Sequence, residues 1–101
     1  MGGYKYSGHT ELLADLTGTK DFAMLLVTGP LKVIHVSTHV SLVEAIRRVQ
    51  KERIITVIKL ADQALKALGV ANPRVAVAGL NPHAGEDGMF GNEEIETISP
   101  C

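Results

Sequence analysis

Phe22-Ala-Met-Leu-Leu-Val-Thr-Gly-Pro-Leu-Lys-Val-Ile-His-Val-Ser-Thr-His39 carries two apolar, β-favouring runs on either side of a Thr28-Gly29-Pro30 breaker. That pattern predicts a hairpin of two buried strands. The first run, Phe22 to Val27, is near-continuous; the second, Leu31 to His39, alternates so that His35, Ser37 and His39 fall on one side. A third run, Arg74-Val-Ala-Val-Ala-Gly-Leu80, leads through Asn81-Pro82 to His83 and predicts another strand. Two strand-like runs that each end at a histidine, beside Gly and Pro breakers, mark the edge where open α/β folds place ligand chemistry.

Between these runs, Ser41 to Leu68 has helical periodicity. Leu42, Ala45, Ile46 and Val49 lie in one phase and Ile54, Ile55, Ile58, Ala61, Leu65 and Leu68 in another, so a break near Gln50 separates a short helix from a long one that Gly69 stops. Upstream, Thr10 before Glu11-Leu-Leu-Ala-Asp-Leu16 and Thr17-Gly18 reads as an N-cap, an apolar face and a glycine stop. Downstream, residues 81–91 form a glycine-rich loop, and Asn92 is placed to cap a final helix through Glu93 to Glu96. The β-β-α-β-α order fits a mixed-sheet α/β unit with helices packed on a partly parallel sheet. No internal repeat or low-complexity segment interrupts it.

With 101 residues, 46% of them hydrophobic, the sequence has the size and composition of one domain with a modest core. A net charge of -1 gives no footprint for nucleic acid; the cluster Arg47, Arg48, Lys51 and Arg53 reads as a solvated helix face. Glu86 and Asp87 read as solvated loop residues. The single cysteine, Cys101, allows no internal disulfide, which makes the cytoplasm the expected compartment. No run is long enough to span a bilayer, and the N-terminus lacks a hydrophobic signal core.

His39 and His83 read as part of a divalent metal site, since imidazole suits borderline ions and such an ion needs at least three donors. His35 shares a strand face with His39 but would lie about 13 Å from it in an extended strand, outside the site.

Three segments together carry a resemblance: Ser7-Gly-His-Thr-Glu11, Val36-Ser-Thr-His39, and Gly79-Leu-Asn-Pro-His-Ala-Gly-Glu86 followed by Gly88 and Gly91-Asn-Glu-Glu-Ile95. They resemble the 4-hydroxythreonine-4-phosphate dehydrogenase family, including its 4-phospho-D-threonate and D-erythronate dehydrogenase paralogs. The resemblance covers essentially all 101 residues. It implies an α/β/α segment of an isocitrate/isopropylmalate dehydrogenase-like fold, homodimers, a divalent metal (Zn, Mg or Co) and NAD or NADP. The implied reaction oxidises a secondary hydroxyl and removes the adjacent carboxylate, on a phosphorylated hydroxy acid; one branch serves pyridoxine biosynthesis. Residue by residue, the resemblance places His39 and His83 among three metal-binding histidines and His9 and Thr10 in the substrate site.

Family members are roughly three times this length, as a two-lobed dehydrogenase would be. The chain is therefore expected to be either a single domain over 1–101 or the central segment of a larger dehydrogenase, without the third metal histidine. On that expectation it is inactive alone, and the alternative function is a non-catalytic folding or dimerisation module. The stretch from Val27 to Leu42 looks closer to the phosphothreonate-type paralogs than to the vitamin B6 enzymes, where a Thr-Thr-His-Leu-Pro-Leu form is expected.

Overall fold

The computed structural model describes residues 9–101, the side chains of residues 9–11 excepted. Its elements are α1 (His9–Thr17), β1 (Leu25–Thr28), β2 (Leu31–Ile34), α2 (Leu42–Arg47), α3 (Lys51–Ala67), a 3-10 turn (Pro82–Gly85) and a terminal π-helical turn (Glu94–Ile98).

The hairpin forms, but its strands are shorter than expected and are not buried: Leu26, Val27, Leu31 and Val33 are exposed, because no second layer covers them among the described residues. β1 and β2 pair antiparallel from Leu25↔Ile34 to Thr28↔Leu31, leaving Gly29-Pro30 as a two-residue loop. One more backbone bond, His35 N to Met24 O at 3.2 Å, continues the pairing before it ends. β2 does not reach His39. Residues 35–40 are irregular and His39 has φ +56, a left-handed backbone that cannot continue a strand; the alternation of His35, Ser37 and His39 on one face is lost with it.

The helical stretch divides as its phase break requires. Ser41 caps α2, its hydroxyl accepting from Glu44 N at 3.2 Å, and Glu44 pairs with Arg48 at 2.9 Å. Gln50 is extended (φ -124, ψ 145) and its side-chain amide donates to Arg47 O at 2.8 Å, closing one helix while its own carbonyl accepts from Ile54 N to start the next. α3 buries Ile54, Val57 and Ala61, a single stripe at i, i+3 and i+7. Its end is a Schellman motif. Gly69 takes φ +96, Gly69 N reaches Lys66 O at 3.0 Å and Val70 N reaches Leu65 O at 3.0 Å. Gly18 stops α1 in the same way, through Gly18 N to Asp15 O and Thr19 N to Ala14 O.

Arg53 is not part of a solvated face. Its Nε donates to Val36 O and its Nη2 to Phe22 O, both at 2.9 Å, so one part-buried guanidinium ties α3 to the chain entering β1 and leaving β2. The other members of that basic cluster, Arg47, Arg48 and Lys51, are exposed.

Three further expectations are corrected. Residues 74–80 form no strand, because no neighbouring strand offers them a ladder; among the described residues the sheet is a two-stranded antiparallel hairpin rather than a partly parallel mixed sheet. α1 is already helical at His9, so Thr10 lies within the helix rather than at its cap. The last turn starts at Glu94 and has no side-chain cap from Asn92.

The core is thin. Ala14, Ile54, Val57 and Ala61 are its buried apolar residues, while Leu16 (69% exposed) and Leu42 (84%) stand in solvent. The accessible surface, 7458 Å², exceeds the about 5,500 Å² that a compact monomer of this size presents. Among the described residues no helix is long and apolar enough to cross a membrane.

Candidate functional site

The glycine-rich loop after Leu80 has the most constrained backbone in the chain. From His83 to Gly88 every residue has positive φ: 52, 51, 82, 46, 56 and 96°. The run winds left-handed, closed by Glu86 N to His83 O at 3.1 Å and Gly88 N to Gly85 O at 3.0 Å. For L-residues this costs about 1–2 kcal/mol each, and four of the six carry a β-carbon. Such a segment persists only where surrounding contacts over-determine it.

Those contacts converge on Glu94. Its side chain is buried, and Oε1 accepts from Leu80 N and Asn81 N, both at 2.6 Å, while Oε2 accepts from Asn81 Nδ2 at 3.0 Å. Asn81 Nδ2 also donates to Glu93 Oε1 at 2.6 Å. The glycines around this carboxylate are required by space. A β-carbon on Gly85 would sit 2.8 Å from Glu94 Oε2 and 2.8 Å from Gly91 O, and one on Gly79 would sit 2.9 Å from Ala84 Cα.

Hydrogen bonding to the ionised form moves the Glu94 carboxyl from the ordinary 4.5 down to about 2; the Asn81 backbone amide contributes most, the Asn81 side chain next, and burial opposes them. A depressed folded-state value stabilises the fold fully above 4.5 and ceases to do so as the pH falls toward 2. Amide protection at Leu80 and Asn81 is therefore expected to hold near neutrality and to fall across that window. Hydrogen exchange followed by NMR checks this, and Glu94→Gln should flatten the dependence; protection that is level through the window in the unsubstituted protein would contradict it.

His83 sits at the start of the left-handed run, exposed, its ring 6.0 Å from that of Phe90. His39 also has a left-handed backbone and an exposed side chain, just beyond the Val36 carbonyl that Arg53 holds. Both expected metal ligands thus occupy conformations uncommon for residues with a β-carbon, in irregular segments anchored by a charged side chain from another part of the chain. His9 and Thr10 are helical residues of α1, and their side chains fall outside the described residues. His35 is half-buried, its Nδ1 without a hydrogen-bond partner.

Accessible imidazoles are suitable donors for a borderline divalent ion. Among the described residues no group of three or more His, Cys, Asp or Glu side chains is assembled to hold one.

Sequence reading singled out His83 and missed Glu94. The available signal was Asn81-Pro82: a turn entered by free backbone amides needs an acceptor from elsewhere, and acidic residues follow within the next dozen or so positions.

Comparison with known proteins agrees with this local architecture. A family model described as pyridoxal phosphate biosynthetic protein PdxA matches residues 1–101. The chain is 56% identical over 98 residues to a D-threonate 4-phosphate dehydrogenase of Pectobacterium atrosepticum, covering 97% of this chain and 30% of that protein. It is 48% identical over 102 residues to a 4-hydroxythreonine-4-phosphate dehydrogenase of Desulforapulum autotrophicum, covering 100% and 30%. The crystal structure of a 4-hydroxythreonine-4-phosphate dehydrogenase from Klebsiella pneumoniae superposes with a TM-score of 0.86 at 55% identity, over 98% of this chain and 30% of that one. The chain thus spans about 30% of the length of these relatives.

Proposed function

The chain belongs to the PdxA family, and from that premise we propose that it supplies the metal-ligating and substrate-binding segment of an NAD- or NADP-dependent dehydrogenase. The substrate is a phosphorylated hydroxy acid, which is oxidised and decarboxylated. Between the two substrates named among the relatives, we favour 4-phospho-D-threonate over 4-hydroxythreonine 4-phosphate. The observation that carries this reading is the 56% identity to a D-threonate 4-phosphate dehydrogenase over 97% of the chain. The wider fold is of the isocitrate/isopropylmalate dehydrogenase kind, working as a cytoplasmic homodimer.

In this reading His39 and His83 present two imidazoles to one divalent ion, with a third donor from outside the described residues. When bound, the ion supplies Lewis-acid polarisation of the substrate oxygen and the nicotinamide accepts hydride. His9 and Thr10 bind the phosphorylated substrate. The strained run from His83 to Gly88 fixes one imidazole before any ligand arrives, so that little ordering is left to be done on binding.

The test is spectrophotometric. With the full-length protein that carries this segment, 4-phospho-D-threonate, a divalent metal and NAD⁺ or NADP⁺, reduced nicotinamide is expected to form, with CO₂ released in equal amount. Turnover of 4-hydroxythreonine 4-phosphate instead would reverse the substrate preference, and turnover of neither would remove the reading.

A second reading, a folding or dimerisation module, draws on the exposed apolar side chains, Leu42 and Leu16 foremost. Sedimentation of the 101-residue chain distinguishes the two: a module of this kind forms a defined dimer, whereas a monomer argues against it.

A further inference from the structure

We propose that Glu94 is the positioning residue for His83: it holds the turn at Leu80 and Asn81 and so locks the left-handed run that presents the His83 imidazole to the metal. The proposal rests on the reading of His83 as a ligand. It adds a residue that makes no ligand contact of its own.

The geometry makes Glu94 the external brace of the loop. His83 and Asp87 tolerate a left-handed φ singly, but Ala84 and Glu86 have no such preference, so the run as a whole needs contacts from outside it. The entry to the run is fixed by one carboxylate that accepts two backbone amides and one side-chain amide, at Leu80 and Asn81. The middle of the run touches the same group. Gly85 is buried, and any β-carbon there would strike Glu94 Oε2. Glu94 in turn belongs to the terminal turn that packs on α3, the longest helix. A continuous path of contacts therefore runs from the helical scaffold through Glu94 and Asn81 to His83, as expected of groups that orient metal ligands from behind.

The chemistry of the acceptor sets the expected order of variants. Glu94→Gln keeps an oxygen for both backbone amides, Glu94→Asp is one methylene too short to reach them, and Glu94→Ala removes the acceptor. Zn²⁺ affinity, measured calorimetrically on folded protein, is expected to fall about tenfold or more in Glu94→Ala and to stay within about threefold of the original in Glu94→Gln, with Glu94→Asp between them. In the metal-free protein, backbone couplings at His83 and Ala84 should report a left-handed φ in the original and in Glu94→Gln, and lose it in Glu94→Ala.

A brace that served only general stability would lower the melting temperature yet leave both the affinity of the folded fraction and those couplings unchanged; that result overturns the proposal. If Glu94→Ala does not fold, the comparison of Glu94→Gln with Glu94→Asp decides, and equal affinities overturn it. His83→Ala separates the two levels: undiminished affinity there removes the ligand reading, whereas weakened affinity there with intact binding in Glu94→Ala removes the positioning role alone.

Discussion

Replacing either His39 or His83 with alanine is expected to weaken Zn²⁺ binding by more than about tenfold, and replacing both should weaken it little further than replacing one. The non-additivity follows from a shared ion. Once one imidazole is gone the remaining donors no longer close a coordination sphere, so the second loss removes what is already mostly lost. Each histidine is exposed on a left-handed backbone, so truncation to alanine opens no cavity in the core, and the fold itself should survive. His35→Ala is the control. Its Nδ1 is buried, away from solvent, and affinity should not change with it. Isothermal titration of the four variants beside the original protein checks the set, and unchanged affinity in both single variants would reject the metal assignment.

Gly85→Ala is expected to cost about 2–4 kcal/mol of stability. Two effects add at this position. The backbone has φ +82, which an alanine adopts only with strain, and its β-carbon would meet Glu94 Oε2 and Gly91 O at 2.8 Å each. Gly91 O is backbone and Glu94 is tied to three donors, so neither can move aside without giving up hydrogen bonds. Gly18→Ala isolates the first effect: φ is +67, yet nothing lies within 4 Å of the added carbon, and the expected cost is about 1–2 kcal/mol. Urea denaturation of both variants gives the comparison. Equal losses would mean that the crowding around the Glu94 carboxylate is not what makes Gly85 a glycine.

What could be read from the sequence is what short-range chemistry decides. The Gly29-Pro30 loop, the break at Gln50 and the glycine stops at Gly18 and Gly69 each depend on residues within about one turn of one another, and all stand where the pattern put them. The strand at residues 74–80 did not form, because a ladder belongs to two segments and the pattern of one says nothing about its neighbour. β2 stopped early at Ile34 for a related reason: Arg53 captures the Val36 carbonyl from 17 positions away and re-aims the chain toward the left-handed His39. Glu94 escaped notice because its partners lie 13 and 14 positions upstream, beyond any helical or strand period. Both missed residues are charged groups that accept or donate across long separations.

The two histidines themselves were legible through their surroundings. Asn81-Pro82 and the flanking glycines signal a tight turn, and the wording from Gly79 to Glu86 points to the family that the match over residues 1–101 establishes. What the sequence withheld is the backbone state of that turn. Nothing in an Ala or Glu predicts a left-handed run, and the loop's own backbone hydrogen bonds together with the contacts at Glu94 hold it.

An NMR titration of the histidine ring resonances with Zn²⁺ tests most directly whether His39 and His83 share one ion. The rings of His39 and His83 are expected to shift together and to saturate at one equivalent of metal, while His35 stays unmoved. Saturation of the two rings at different equivalents, or movement of only one of them, would contradict the shared site.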